Sequence, residues 1–152
     1  MLWKTHLVIG LAVALFFAPH VSDPVLFMPI VLFATLFPDV DSGFSYIGKN
    51  PLAKPVQMTT NHRGIVHSYT LCIFLSILIV FVYPPAALPF FLGYSFHLFA
   101  DAFTVQGIRP FWPIKAVSKG VIKSGGITDK AIFYTLLFVD ILLIVLMISG
   151  TF

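Results

Sequence analysis

Histidine and aspartate side chains recur along this chain at spacings that suit the binding of a metal ion. His97 and Asp101 are four residues apart, so on a helix they share one face, with Cβ atoms about 6 Å apart. Such a pair can bind one ion together, or the aspartate can orient the histidine through its second ring nitrogen. Imidazole and carboxylate ligands without a thiolate favour zinc or another transition ion, with manganese as an alternative.

Two further pairs lie in polar stretches next to apolar ones. Asp39 and Asp41 alternate in "FPDVDS", where an extended backbone would point both side chains the same way. His62 and His67 are five residues apart in "NHRGIVHSY", about 140° around an ideal helix. These histidines can share an ion only if Gly64 bends the start of the helix; otherwise they serve two ions.

Three or four such ligands together with water would form a Lewis-acid site that generates hydroxide near neutral pH. Arg63 and Arg109 are then candidates for binding a phosphate or carboxylate group. Simpler interpretations exist for each residue: an interfacial anchor for His6, a turn and cap for the "PDVD" aspartates, and a structural pair joining helices for His97 and Asp101.

The composition is that of a membrane protein. Of 152 residues, 59% are hydrophobic and 10% are charged, against about 25% charged in soluble domains. Five apolar stretches cover residues 7–18, 24–37, 65–83, 86–104 and 131–150. The last three have the length that a bilayer requires, whereas the first two are short enough for a thinned bilayer or a re-entrant hairpin. We predict an all-α integral membrane protein, a bundle of about five transmembrane helices in one domain, 1–152.

The basic residues predict the orientation of these helices. All nine lysines and arginines lie before the first stretch, between the second and third, or between the fourth and fifth. They therefore share one side of a five-span chain, which the positive-inside rule makes cytoplasmic, with the N-terminus inside and the C-terminus outside. Orientation and contact with anionic headgroups explain the net charge of +3, so membrane lipids rather than nucleic acid are the expected partners.

On this topology the metal-capable residues collect at the cytoplasmic ends of four spans. Only His20 lies at the opposite side, and Asp140 lies in the middle of the fifth stretch, where we expect a polar contact to Tyr94 or Ser95. The candidate metal ligands are His6, Asp39, Asp41, His62, His67, His97 and Asp101. The candidate catalytic residues, among them a general base and an anion-binding arginine, are Asp39, Asp41, Arg63 and Asp101.

The longest polar connection, residues 105–130, is called the basic connector below. Aromatic residues and prolines in "RPFWPIK" precede spaced lysines, a pattern typical of a loop in the lipid headgroup zone. The connector lies on the same side as the metal-capable residues and can also cover them as a lid, with Gly125 and Gly126 as a hinge. Both interpretations are compatible with each other.

A set of short motifs resembles a known family. "TH" at Thr5–His6, "PDVDS" at 38–42, "HRGIVHS" at 62–68 and "HLFADAFTVQG" at 97–107 occur in that order. This is similar to the small bacterial and archaeal inner-membrane proteins described as metal-dependent hydrolases, the YdjM-like group. The resemblance implies a multi-span helical protein with a His/Asp metal site and hydrolase activity. The His-x-x-x-Asp pattern also resembles that of zinc-dependent phospholipases C, which suggests a phosphoester substrate.

Together these features predict a multi-pass protein of the cytoplasmic membrane. The leading hypothesis is a metal-dependent hydrolase that acts on a lipid-linked phosphoester or ester, with zinc as the first choice of cofactor and manganese as the second. The alternative is a non-enzymatic metal-binding membrane protein, such as a sensor, a stress-response module or an ion-handling module. A purely structural cluster of polar side chains is a third interpretation.

Overall fold

A computed structural model describes residues 1–41 and 64–150. These residues form five α-helices: α1 (Trp3–Phe17), α2 (Pro24–Leu36), α3 (Tyr69–Val82), α4 (Pro84–Ala102) and α5 (Ile127–Ile148). Short 3₁₀ helices extend α1 (Ala18–His20) and α2 (Phe37–Asp41), and another precedes α3 (Ile65–His67). The predicted all-helical architecture is therefore confirmed for the described part of the chain.

Caps and prolines set the starts of the helices. Asp23 accepts a hydrogen bond from the Leu26 backbone nitrogen at 3.0 Å, and Pro24 follows it at the first helical position, which is the favoured N-terminal arrangement. Ser68 caps α3 by accepting from the Leu71 nitrogen at 3.3 Å. This cap makes α3 shorter than predicted: the helix has 14 residues, because the turn that contains His67 lies outside it.

Small residues let the helices approach one another closely. Helix α2 packs between α1 and α4, α3 packs on the outer side of α4, and α5 packs on α1. A methyl group added at Gly93 of α4 would lie 2.2 Å from the Val31 carbonyl oxygen of α2, and one added at Gly10 of α1 would lie 2.5 Å from Thr35 Oγ1. Glycine therefore permits two contacts that place α1 and α4 directly against α2, as is common between membrane helices.

Many large apolar side chains lie on the outer surface of the described residues, and several polar side chains are buried beside the apolar core. Large apolar residues such as Phe81, Phe138 and Ile148 are exposed, while His6, His97 and other polar groups are buried. By length and composition, one described helix, Ile127–Ile148, is long and apolar enough to cross a membrane. Helices α2 and α3 are apolar but shorter, so the predicted number of five passages is not confirmed by helix length.

The basic connector has a defined backbone. Two isolated backbone bridges close it: Val105 N–H donates to the Ile122 carbonyl at 3.0 Å, and Ile108 and Ser118 exchange reciprocal bonds of 2.8 and 2.9 Å. The Tyr69 backbone nitrogen, at the start of α3, donates to the Pro110 carbonyl at 2.8 Å. The connector is thus attached to the end of the bundle at which α3 begins and α4 ends.

Candidate metal centre

Five metal-capable side chains meet at this end of the bundle, and we call them the His/Asp cluster. His6 comes from α1, Asp39 from the 3₁₀ turn after α2, His67 from the turn before α3, and His97 and Asp101 from α4. The three histidines are fully buried and Asp101 is 1% exposed, whereas the Asp39 side chain keeps 14% of its surface accessible. Residues distant in sequence are therefore brought into one enclosed site.

The ligand-capable atoms of the cluster lie close together. His97 Nε2 is 3.4 Å from His67 Nε2, 3.9 Å from Asp39 Oδ1 and 3.9 Å from Asp101 Oδ2. Asp101 Oδ2 is in turn 3.7 Å from His67 Nε2, and Asp101 Oδ1 is 3.3 Å from His6 Nε2. Two ligands at about 2.0–2.1 Å from a tetrahedral ion are about 3.3 Å apart, so these separations suit ligands arranged around an ion.

The backbone of α2 determines which ring nitrogen of His97 faces the cluster. His97 Nδ1 lies 2.7 Å from the Thr35 carbonyl oxygen, which can only accept, so Nδ1 carries the proton. Thr35 is in the last turn of α2, where carbonyl groups lack a partner within the helix. The Nε2 lone pair therefore points toward His67 and the aspartates, which is the tautomer that a metal-binding histidine requires.

His6 is the one histidine of the cluster whose ring nitrogens form no hydrogen bond within the described part of the chain. Its Nε2 is 3.3 Å from Asp101 Oδ1, an ion-pair distance if the ring is protonated, but this contact does not have the geometry of a hydrogen bond. The ring stacks on His97 with centroids 3.8 Å apart and planes inclined by 17°. A buried polar group without a partner costs free energy, and a bound cation would supply the missing interaction.

Two overlapping sets of three ligands can each hold an ion. One set is His6, His97 and Asp101, and the other is Asp39, His67 and His97, with the ligand atoms of each set within 4.8 Å of one another. His97 belongs to both, yet its Nδ1 is used by Thr35, so only one lone pair is available. The histidine can therefore serve one ion at a time, and the two sets compete for it.

The electrostatics of the cluster favour a cation. Burial raises the pKa of the Asp39 carboxyl above its ordinary value, while His6 and His67 oppose the shift and Asp101 adds to it. The amino group of Met1 contacts Asp101 Oδ1, so this carboxylate already attracts positive charge. A cation placed near both carboxylates would stabilise their charged forms.

Asp129, to which the sequence analysis gave no role, holds α1 in place. Its buried carboxylate, in the first turn of α5, accepts hydrogen bonds from Thr5 Oγ1 at 2.7 Å, from the Gly125 nitrogen at 2.7 Å and from the Leu2 nitrogen at 3.1 Å. Thr5 directly precedes His6, so this contact also positions the histidine. The sequence offered a weak signal, an acid in the first turn of a helix, which usually marks a favourable interaction with the helix dipole.

The positions of some other predicted site residues are not described. His62 and Arg63 lie outside the described residues, as does the side chain of Asp41. The extended backbone expected around Asp39 is wrong, because a 3₁₀ helix covers Phe37–Asp41 and tightens the end of α2.

The contact predicted for Asp140 is also wrong for the described part of the chain. Asp140 is 1% exposed, but neither of its carboxylate oxygens has a hydrogen-bond partner there. Instead, the Tyr94 hydroxyl donates to the Val66 carbonyl at 2.5 Å, which attaches the His67 turn to α4. The Ser95 carbonyl accepts from the Tyr69 hydroxyl at 3.2 Å.

The fold and the cluster together define a class: a helical protein with an apolar exterior and a buried group of metal-capable side chains. The family described as YdjM inner membrane protein matches residues 1–151, so the chain belongs to that family, as the motifs predicted, and is an inner membrane protein. Searches of curated proteins and of solved structures gave no significant match.

Proposed function

We propose that this protein is a metal-dependent hydrolase of the cytoplasmic membrane that acts on a lipid-linked phosphoester or ester. One observation carries the proposal: three histidines and two aspartates from separate elements converge in an enclosed cluster, while the ring nitrogens of His6 find no hydrogen-bond partner in the described residues. A cluster that only joined helices would be expected to satisfy its own buried polar groups.

The donor atoms suit a zinc ion, with manganese as the alternative. His97 would bind the ion through Nε2, together either with His67 and Asp39 or with His6 and Asp101. A divalent ion held there would act as a Lewis acid and lower the pKa of water. Asp41 and His62, which also match the family pattern, remain proposed ligands.

The protein side chains then have separate roles. Asp39 is the one carboxylate of the cluster with appreciable exposure, 14%, so it is the proposed general base that accepts a proton from incoming water. Asp101 is enclosed and close to both His6 and His67, which suits a ligand or an orienting carboxylate. Arg63 is the proposed group that binds the anionic part of the substrate.

The membrane arrangement is also part of the proposal: five passages with the N-terminus and the cluster on the cytoplasmic side. Lys4 lies at the start of α1, and the start of α1 is bonded through Asp129 to the start of α5. The exposed cations of the basic connector therefore lie at the same end of the bundle as Lys4. This distribution supports the positive-inside orientation.

A second function, a non-enzymatic metal sensor or structural metal site, is favoured by one observation. Four of the five cluster residues are no more than 1% exposed, and structural metal sites are closed, whereas catalytic sites keep a position open for water. Both functions require the same metal centre. They differ in whether water and substrate can reach the ion.

Metal analysis tests the shared centre. Detergent-purified parent protein is compared with His97→Ala/Asp101→Ala and with His20→Ala, a control at the opposite end of α1. We expect stoichiometric zinc or manganese in the parent and the control, and loss of that metal in the double variant. A parent that stays empty after incubation with both ions would overturn both functions and leave a structural cluster.

A substitution of Asp39 separates the two functions. With metal retained, an Asp39→Asn variant should lose hydrolysis of lipid phosphoesters if Asp39 is the general base. Metal-loaded parent protein that hydrolyses none of a panel of lipid phosphoesters and esters would favour the sensor.

A further inference from the structure

The basic connector presents apolar side chains on its outer surface. Val121 is 90% exposed, Ile114 62% and Phe111 58%, and Trp112 and Val117 are also exposed. The backbone bonds between Val105 and Ile122 and between Ile108 and Ser118 show that these side chains belong to a folded segment. Contiguous apolar side chains on a folded surface mark a site of interaction.

Positive charge is interleaved with these apolar side chains. Lys115, Lys119 and Lys123 are exposed and recur every fourth residue, with Val117 and Val121 between them. Arg109 is exposed as well, and no acidic residue occurs from position 102 to position 128. Apolar side chains that enter the headgroup layer, surrounded by cations that meet its phosphates, are what an anionic bilayer surface binds.

This surface lies beside the His/Asp cluster. Thr104, the buried residue that directly precedes the connector, donates through Oγ1 to the Asp101 carbonyl at 2.7 Å. Pro110, which precedes the exposed Phe111, is bonded to the Tyr69 nitrogen two residues after His67. The connector is therefore attached on two sides to the elements that carry the cluster.

We propose that the basic connector is a docking surface for anionic phospholipid headgroups of the leaflet next to the cluster. The complementarity of charge selects this partner: four cations and no acid face outward with apolar residues between them. The inference rests on the membrane location and not on hydrolysis. If the proposed hydrolase activity is correct, the same surface would concentrate anionic lipid beside the cluster.

Tryptophan fluorescence tests the proposal, because the chain has two tryptophans. In a Trp3→Phe variant, all tryptophan fluorescence comes from Trp112. If that variant folds poorly, the fluorescence of a Trp112→Phe variant, which comes from Trp3, is subtracted from that of the parent protein. Each protein is placed in nanodiscs of phosphatidylcholine, with or without phosphatidylglycerol. Quenching is measured with acrylamide from water and with lipids brominated near the headgroup.

In discs that contain phosphatidylglycerol we expect Trp112 to be protected from acrylamide and quenched by brominated lipid. Lys115→Gln/Lys119→Gln/Lys123→Gln should abolish the difference between the two disc types, since each lysine contributes about fivefold in affinity near an anionic surface. The control, Lys4→Gln/Lys49→Gln/Lys54→Gln, removes three positive charges at sequence positions outside the connector and should keep the difference at Trp112. High salt should reduce the difference in Trp112 quenching between the two disc types.

Trp112 that is equally accessible to acrylamide in both disc types, and unaffected by brominated lipid, would overturn the proposal and favour a lid in water or a protein partner. If the control lost the difference in Trp112 quenching between disc types to the same extent, the proposal would also be overturned, because the effect would then depend only on total charge. Metal content measured on the same samples separates this result from the fate of the metal centre, since an empty centre leaves the Trp112 signal unchanged.

Discussion

At the scale of single residues, His6 distinguishes a metal centre from a polar contact between helices. Its ring is fully buried, stacked on His97 and without a hydrogen-bond partner in the described part of the chain. Such a residue lowers stability unless something binds it. The metal-free and metal-bound proteins should therefore respond to its removal in opposite directions.

His6→Leu should stabilise the metal-free protein by about 1–3 kcal/mol, because a buried polar group without a hydrogen-bond partner is replaced by an apolar one. The same change should weaken zinc binding by more than the 10–100-fold typical of residues that only support a ligand. Thermal unfolding with chelator and competition titration with zinc measure the two effects. His20→Leu, an exposed control, should change neither, and unchanged zinc affinity in His6→Leu would remove His6 from the ligand set.

At the scale of elements, Asp129 joins the start of α1 to the start of α5. Asp129→Asn removes the charge and one acceptor from a carboxylate with three donors. We expect weaker zinc binding because Thr5, and with it His6, is no longer held. The effect should vanish in a His6→Leu background, since the residue that Asp129 positions is then absent.

This double-mutant cycle is measured by zinc competition. Additive losses of affinity would contradict this explanation, because Asp129 would then affect zinc binding independently of His6. The metal-free unfolding temperature supplies a separate readout of stability.

The contact of α2 with α4 gives a second prediction at this scale. Gly93→Ala should destabilise the protein by about 1–3 kcal/mol, because the added methyl group would lie 2.2 Å from the Val31 carbonyl oxygen. Denaturation in detergent measures the loss. A second change, Ala34→Gly, removes a neighbouring methyl group that lies 2.9 Å away but leaves the backbone contact, so it should restore little; full restoration would contradict this explanation.

The sequence predicted the helices better than their ends, and the side chains of the cluster better than what holds them. Apolar stretches indicated all five described helices, but the Ser68 cap, and so the late start of α3, depends on a local hydrogen bond. The spacing of His97 and Asp101 placed them on one face of α4. The role of the Thr35 carbonyl could not be predicted from the sequence, because every residue has a backbone carbonyl. Only the packing of α2 on α4 brings this one to His97.

At the scale of the whole molecule, buried polar groups and exposed apolar ones describe a protein surrounded by lipid. If the chain crosses the membrane five times with its N-terminus inside, His20 and Lys119 lie on opposite sides. In a Cys72→Ala background, His20→Cys should react with an impermeant maleimide added outside intact cells, whereas Lys119→Cys should react only after the membrane is opened. Reaction of both from one side would contradict the orientation.

The close contact at Gly93 has a consequence for which ion the cluster accepts. Val31 and Gly93 lie one helical turn before Thr35 and His97, so the packing of the first pair fixes the separation of the second. Calcium forms bonds about 0.3–0.5 Å longer than those of zinc, and would require α2 and α4 to move apart and lose that packing. If the cluster binds a metal ion as proposed, a glycine that does not contact the ion would thus limit the ionic radius that the centre admits.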